Sequence, residues 1–158
     1  MMTKELQIAL DLVKEAESFK PNEYRCTAGK LTQGYGRNLE VYPLSDAEKE
    51  ELNEDGSVNE VIAEKWAIKE LRECEEKLKS NIIYQKQSDV RKAVLLDMCF
   101  NIGYSGLMKF KKMWIALGER DYPKASREMK DSSYYVQVGT RGKRNVEIMA
   151  SNMIVKKD

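Results

Sequence analysis

The segment from Val90 to Gly103, VRKAVLLDMCFNIG, most constrains the fold, because it is nearly continuous in apolar character. A helix with one apolar stripe lies on a surface, whereas a helix that is apolar on nearly every side must be enclosed by other elements. The segment therefore predicts a buried central helix. A chain of 158 residues is long enough to build one core around such a helix, and too short for two independent cores.

Helical patterns fill the rest of the C-terminal half. They predict further helices over about 105–118, 121–131 and 140–155. Asp121 and Thr140 stand where residues that cap the start of a helix are preferred. The central helix is therefore expected to pack inside a bundle of helices.

The first forty residues combine a helix with a small sheet. Apolar residues at three- and four-residue steps predict a first helix, which Thr3 can cap and Pro21 would end. Between Glu23 and Asn38 the pattern changes to short β-like segments separated by glycines. This predicts a small antiparallel sheet with turns near Gly29 and Gly34.

Two further helices complete the predicted fold. Ser45 and Glu48 have the spacing of a capping box, which opens a short helix that Asp55-Gly56 would break. The fold class is then α+β, mostly helical, with segregated elements in a single domain. We expect a sheet-bearing lobe at about 15–58, a connecting helix at about 59–80, and a helical lobe at about 81–158 that includes the first helix.

Composition argues against several kinds of function. Basic residues number 27 and acidic residues 26, without the basic excess that nucleic-acid binding usually requires. No apolar run is long enough to span a membrane or to act as a secretory signal, so we expect a protein that accumulates in the cytoplasm. The absence of histidine removes imidazole catalysis and the commonest metal ligand. Three cysteines without C-x-x-C spacing favour neither a zinc site nor a disulfide framework.

Residues that could carry chemistry follow one another at the end of the first helix and in the predicted sheet. Glu17 is followed nine positions later by Cys26, six positions after that by Thr32, and then by Gly34-Tyr35-Gly36. Each is unremarkable alone, because a glutamate near a helix end is usually solvated and a cysteine or threonine in a strand usually packs. Their combination is informative.

The order E-x8-C-x5-T, followed by G-x-G, resembles the pattern of the phage-type lysozymes, glycoside hydrolase family 24. In that family the middle position holds an aspartate or a cysteine. Two later blocks, RKAVLLDMCFNIGYSGLMKF and GTRGKRNVEI, are similar to the family's central helix and to its late helix start. The resemblance covers most of the chain. It implies a lysozyme-like fold and an enzyme that hydrolyses the bond between N-acetylmuramic acid and N-acetylglucosamine in bacterial peptidoglycan.

The resemblance implies a role for each residue of the motif. Glycoside hydrolysis requires an acid that protonates the leaving oxygen and a group that handles water or attacks the sugar carbon. Glu17 is the implied acid, and Thr32 would position the water. Cys26 occupies the place of a second carboxylate. Its thiol would be mostly protonated at neutral pH unless a neighbour such as Arg25 or Arg141 favours the thiolate. Both a base and a covalent nucleophile remain open for Cys26.

Substrate-contacting positions of the family fall in the C-terminal half. Phe100 and Asn101 match residues that line the cleft, although Phe100 is also suited to a core. Arg141 matches an arginine that pairs with the catalytic glutamate. Two further cleft positions hold residues unlike those of the family, Met113 and Glu128.

One more implied pair is structural. Arg37 replaces a histidine that is common after the G-x-G, and Glu70 stands where its acidic partner would be. The resemblance implies that this pair links the sheet to the long helix.

The resemblance implies no cofactor, no metal, and peptidoglycan as the partner of a monomer that contacts neither nucleic acid nor membrane. Such an enzyme would stay in the bacterial cytoplasm until the membrane is opened and then reach the cell wall. Three alternatives remain open at the level of sequence. They are a glycan- or protein-binding module that has lost turnover, a purely structural domain, and a lytic transglycosylase that works with a single carboxylate.

Overall fold

The structure, a computed structural model, describes residues 2–154. These residues are mostly helical and include a three-stranded antiparallel sheet of order β1-β2-β3, which confirms the α+β fold class. The strands are β1 (Lys20–Arg25), β2 (Leu31–Gly34) and β3 (Arg37–Asn38). The helices are α1 (Lys4–Glu17), α2 (Asp46–Glu50), α3 (Glu60–Leu78), α4 (Ile82–Gln85), α5 (Asp89–Met108), α6 (Lys111–Gly118), α7 (Tyr122–Lys130), α8 (Ser133–Val138) and α9 (Thr140–Ser151).

The described residues form two compact units. Val13–Glu70 make up the first, which we call the sheet unit because it contains β1, β2 and β3. The described residues before Val13 and after Glu70 make up the second, which we call the helical unit. Both boundaries along the chain fall inside helices, α1 and α3. That the chain is a single domain stays a prediction.

Glycine turns set the register of the sheet. Between β1 and β2 the chain turns at Gly29, whose φ is 78°, and the register then places Tyr24 opposite Thr32. Between β2 and β3 it turns through Gly34 and Gly36, with φ of 74° and 71°. Backbone in this left-handed region favours glycine, because a Cβ would meet the following carbonyl oxygen. The predicted turns near Gly29 and Gly34 are therefore confirmed.

The first helix ends before Pro21, as the sequence indicated, but Ser18 rather than Pro21 ends it. Thr3 caps its start, since Oγ1 of Thr3 accepts a hydrogen bond of 3.2 Å from the backbone N–H of Leu6. After Glu17, Ser18 adopts a left-handed conformation with φ of 58°, which turns the chain out of the helix. The sheet then begins at Lys20, before the expected start. Pro21 is tolerated there because β1 is an edge strand.

A buried ion pair holds α2 against the β2–β3 turn. Arg37 donates to both carboxylate oxygens of Glu48, at 2.5 and 3.0 Å, and its guanidinium lies 4.9 Å from the ring centroid of Trp66. Glu48 also closes the predicted capping box with Ser45. The bonds from Arg37 outweigh the effect of burial and lower the pKa of Glu48 to about 2. Arg37 thus makes two carboxylate hydrogen bonds with Glu48, a partner that the sequence did not indicate. The suggested pairing of Arg37 with Glu70 stays a prediction.

In the helical unit, α5 is the buried central helix that the sequence predicted. Leu95, Leu96 and Met98 are fully buried, and α9 packs against α5, α7 and α8. Gly103, with φ of 83°, interrupts α5 near its end. This break coincides with the end of the predicted central helix at Gly103.

Element boundaries differ from expectation in the last third of the chain. The helix expected over about 105–118 is divided, since α5 continues to Met108 and α6 begins at Lys111. The short helix α8 was not expected. Gly139, with φ of 56°, separates α8 from α9, so the residue before α9 is Gly139 and no side chain caps it. The expected capping by Thr140 is therefore wrong, whereas Asp121 caps α7 as predicted. The expected end of this helix at 155 lies outside the described residues.

The described residues include neither a membrane-spanning helix nor a cluster of metal ligands. No helix within residues 2–154 is long and apolar enough to cross a membrane. In the same range, no group of three or more cysteine, aspartate or glutamate side chains is arranged to hold a metal ion.

We predict that Glu48→Gln lowers the free energy of unfolding by about 2–3 kcal/mol at pH 7, because Arg37 loses its charged partner inside the protein. The pKa of Glu48 is lower in the folded state than the ordinary value of 4.5 for this carboxyl group, so the stabilisation exists above that pH and disappears as the pH falls toward 2. Denaturant titrations between pH 2 and pH 7 measure the difference.

Glu50→Gln is the matched control, because Glu50 lies in the same helix and is exposed. It should change stability by no more than about 0.5 kcal/mol at any pH. A difference between wild type and Glu48→Gln that does not depend on pH would contradict the interpretation.

Candidate active site

Glu17 is the last residue of α1, and its carboxyl group lies directly against the backbone of Gly36. A Cβ added at Gly36 would overlap that carboxyl group and would lie only 2.8 Å from Cγ of Glu17. Gly36 therefore serves two purposes, since it permits the positive φ of the turn and leaves room for the acid. The side chain of Glu17 is half-buried at this place.

Three side chains share one face of the β1–β2 pair. Tyr24 and Thr32 are direct partners across the strands, and side chains directly opposite each other project to the same side. Cys26 follows Tyr24 by two positions and continues this side, because side chains alternate along a strand. The hydroxyl of Thr32 lies within hydrogen-bonding reach of the Cys26 thiol and also donates to the carbonyl of Lys30 at 2.8 Å. The predicted neighbours Cys26 and Thr32 are thus brought together.

Backbone amides in the β1–β2 turn favour the thiolate of Cys26. The pKa of this thiol is lowered mainly by a hydrogen bond from the backbone of Lys30, with smaller contributions from the backbone of Ala28 and from the Thr32 hydroxyl. Partial burial opposes the shift without cancelling it. Arg25, one of the arginines considered from the sequence, instead donates to the carbonyl of Gly29 at 2.9 Å.

The phenol of Tyr24 is within electrostatic range of both Glu17 and Cys26. Burial raises the pKa of Tyr24, and the charges of Glu17 and then Cys26 raise it further. The sequence motif did not indicate Tyr24 as a site residue. Its spacing of two positions from Cys26 was a signal, but only the register of β1 against β2 places it opposite Thr32.

The sheet unit thus contains a half-buried carboxyl group beside Gly36 and a thiol–hydroxyl pair formed by Cys26 and Thr32. Such a set can donate a proton from Glu17 and can accept one at Cys26. Since the hydroxyl of Thr32 donates its hydrogen to the carbonyl of Lys30, its oxygen can accept a hydrogen bond from a water molecule and so orient it beside the thiol. Hydrolysis of a glycosidic bond needs two such groups, one that protonates the leaving oxygen and one that activates water.

The helical unit contains a pocket of about 660 Å³ bordered by α5, α6, α7 and α8. Met113 and Glu128, two positions that diverge from the family, both line it, together with Tyr134. Phe100 and Asn101 precede it in α5 and are half-buried, but neither belongs to its lining. The side-chain oxygen of Asn101 is buried and accepts no hydrogen bond from any described residue.

Arg141, the remaining predicted site residue, is held by an aspartate of the central helix. Its Nε and Nη2 donate to Oδ2 and Oδ1 of Asp97 at 3.0 and 2.8 Å. Burial disfavours the charge of Asp97, but Arg141, Arg144 and Asn145 outweigh this and lower its pKa. Hydropathy patterns hide such a residue, because one charge in a long apolar helix leaves the helical pattern unchanged.

Comparison with known proteins places this geometry in context. A family model described as Phage lysozyme matches residues 14–147. The chain belongs to this family. It is also similar to two relatives from Dictyostelium discoideum, "Probable T4-type lysozyme 1" at 24% identity and "Probable T4-type lysozyme 2" at 25% identity. Each match runs over 160 aligned positions and covers 91% of this chain and 94% of the relative.

Membership of the phage lysozyme family suggests a glycoside hydrolase with a muramidase-like function, and it implies peptidoglycan as the substrate. The family match includes both the sheet-unit residues and the α5–α9 region described above. The roles of Glu17, Cys26, Thr32 and Arg141 in this family member stay predictions.

We predict that Gly36→Ala lowers activity on peptidoglycan about a hundredfold, because the new methyl group displaces the carboxyl group of Glu17. The same substitution also strains a positive-φ backbone, which costs about 1–2 kcal/mol of stability. Gly56→Ala separates the two effects, since Gly56 has φ of 84° and open space around its added Cβ.

Both variants should lose similar stability in thermal unfolding, and Gly56→Ala should retain its activity. Equal activity of the two variants, measured as clearing of a peptidoglycan suspension, would show that the space at Gly36 does not matter for the reaction.

Proposed function

We propose that this protein is an endolysin-type muramidase that hydrolyses the β-1,4 bond between N-acetylmuramic acid and N-acetylglucosamine. The observation that carries the proposal is the carboxyl group of Glu17 seated against the backbone of Gly36, in the same unit as the neighbouring Cys26 and Thr32. The family supports the substrate class, since it implies peptidoglycan. The relatives are named as lysozymes at low identity, so the residue roles rest on geometry.

Protonated Glu17 donates its proton to the glycosidic oxygen as the bond from that oxygen to the anomeric carbon breaks. The sugar carbon becomes oxocarbenium-like, and the leaving sugar departs as a neutral alcohol. The half-buried position beside Gly36 limits the orientations open to the carboxyl group. A fixed donor contributes to the rate because less ordering is needed in the transition state.

Cys26 serves as the base that activates water. Its thiolate accepts a proton from a water molecule that Thr32 orients, and the resulting hydroxide oxygen bonds to the sugar carbon. Support comes from the lowered pKa of the thiol and from the adjacent Thr32 hydroxyl, which marks a place for water. A base with water between it and the sugar gives inversion at the anomeric carbon, whereas a covalent sulfur–sugar intermediate would give retention. Proton NMR of the first product formed distinguishes the two outcomes.

Phe100, Asn101 and Arg141 are proposed to contact the glycan. Asn101 offers a buried carbonyl oxygen that accepts a hydrogen bond from no described residue, which suits a sugar hydroxyl or acetamido N–H. Arg141 offers a guanidinium whose plane is held by Asp97.

We predict that Glu17→Gln abolishes clearing of purified peptidoglycan, with a loss of at least about a thousandfold, because an amide cannot donate the required proton. The glutamine has nearly the same shape, so thermal unfolding should stay within a few degrees of wild type. Glu15→Gln is the matched control, since Glu15 is exposed in the same helix, and it should retain full activity. The proposal fails if Glu17→Gln clears the suspension at the wild-type rate, or if wild type binds peptidoglycan without releasing soluble fragments.

Substitutions of Cys26 test the second half of the mechanism. We expect Cys26→Ala to lose most activity, about a hundredfold or more, because no group remains to take the proton from water. Cys26→Asp should retain or raise activity, because a carboxylate can act as the same base. Cys74→Ala provides the control for loss of a thiol elsewhere in the chain. Full activity of Cys26→Ala would remove the thiol from the mechanism.

A further inference from the structure

Asp97 is the most completely enclosed charged residue among those the structure describes. It lies in the middle of α5 and is 0% exposed. Four N–H groups point at its carboxylate, two from Arg141, one from Nη2 of Arg144 at 3.1 Å, and one from Nδ2 of Asn145 at 2.9 Å. Three of these donors meet Oδ2 and one meets Oδ1, so both oxygens of the buried carboxylate accept hydrogen bonds.

The donors around Asp97 are themselves anchored. Nη1 of Arg144 donates to the carbonyl of Leu12 at 2.9 Å, which ties this guanidinium to α1. The amide of Asn145 also donates to the Tyr134 hydroxyl at 2.7 Å, and the ring of Tyr134 lines the pocket of the helical unit. Asp97 is therefore the central acceptor of a network that joins α5, α8 and α9.

The bonds from Arg141 have a defined geometric effect. A guanidinium that donates through Nε and one Nη to the two oxygens of a carboxylate makes two parallel bonds in one plane. These bonds fix the plane of the group and the direction of its remaining edge. The side chain of Arg141 is only 8% exposed, so little of it can reorient in water.

Helix packing alone does not account for a buried carboxylate at this position. A buried ion pair often contributes no more stability than well-packed apolar residues, because the charges lose their hydration. The same two helices are also joined elsewhere, since Nε of Arg91 in α5 donates to the carbonyl of Met149 in α9 at 2.8 Å. The network around Asp97 therefore adds little stability for the hydration that its charges lose. Its two bonds to Arg141 do fix the orientation of that guanidinium.

We propose that Asp97 is a positioning residue, which holds the guanidinium of Arg141 in the orientation that glycan recognition requires. This inference rests on the proposed role of Arg141 at the substrate site. It assigns a task to a buried charge that the proposed proton transfers do not use. Asparagine would not replace Asp97, because its NH₂ group would face one of the four N–H donors.

A double-mutant cycle tests the proposal on the full-length protein. Initial rates on purified peptidoglycan at low substrate concentration give kcat/KM for wild type, Asp97→Asn, Arg141→Lys and the double variant. Each single substitution should lower kcat/KM about tenfold, and Asp97→Asn should cause almost no further loss when Arg141 is already lysine. The reason is that lysine cannot make the two parallel bonds, so the orienting effect of Asp97 has already gone.

Arg91→Met supplies the matched control for stability, because it removes a different buried tie between the same helices. It should lower the melting temperature while leaving kcat/KM unchanged in both Arg141 backgrounds. Asp97→Asn losses of equal size in both backgrounds would overturn the proposal, because they would show that Asp97 acts through general stability. Wild-type kcat/KM in Asp97→Asn would overturn it as well.

A spectroscopic readout covers the case in which Asp97→Asn does not fold. In the ¹⁵N-labelled wild-type protein, the Nε–H signal of Arg141 should exchange slowly with water, and rotation about its Cζ–Nε bond should be slow. Exposed Arg120 provides the reference for a guanidinium in solvent. Arg141 signals that average as fast as those of Arg120 would overturn the proposal. This measurement does not depend on turnover, so an inactive wild type would refute the proposed function and leave the orienting role of Asp97 separately testable.

Discussion

The carboxyl group of Glu17 packs so closely against the backbone of Gly36 that a Cβ at this glycine would overlap it. This contact has two independent requirements, a helix that ends at Glu17 and a tight turn after β2. Ser18 in the left-handed conformation satisfies the first, and Gly34 and Gly36 with positive φ satisfy the second. A chain that failed to turn at any of these three places would separate the acid from the sheet that carries the thiol and the hydroxyl.

Charge burial follows the same logic in both units. In the sheet unit, Arg37 and Glu48 hold α2 and the β2–β3 turn together, and Glu48 completes the capping box as well. In the helical unit, Asp97 accepts four hydrogen bonds and orients Arg141. Both oxygens of each buried carboxylate accept hydrogen bonds, and a buried charge is tolerated only when it is paired and hydrogen-bonded in this way. Both pairs lie beside elements that carry proposed site residues.

In the proposed mechanism Cys26 takes the place of a second carboxylate, and its surroundings favour the thiolate more than the ordinary acidity of a thiol suggests. A free thiol is mostly protonated at neutral pH, but backbone amides of the β1–β2 turn lower the pKa of Cys26. The donors belong to a turn whose shape Gly29 sets. A residue type that is weak in isolation is thereby suited to act as a base, and the turn rather than an arginine provides the means. Where the protein accumulates and whether it is a monomer stay predictions.

The sequence by itself determined the α+β class, the glycine turns, the capping box at Ser45 and Glu48, and the motif that brings Glu17, Cys26 and Thr32 to one unit. These features depend on local rules, because periodicity, φ preferences and fixed spacings act over a few residues. Only the tertiary structure decided that Arg37 pairs with Glu48, that Tyr24 lies opposite Thr32, and that Asp97 holds Arg141. Such partners are far apart in the chain or depend on strand register. The sequence around a single charge in an apolar helix does not indicate which donors will bond to it.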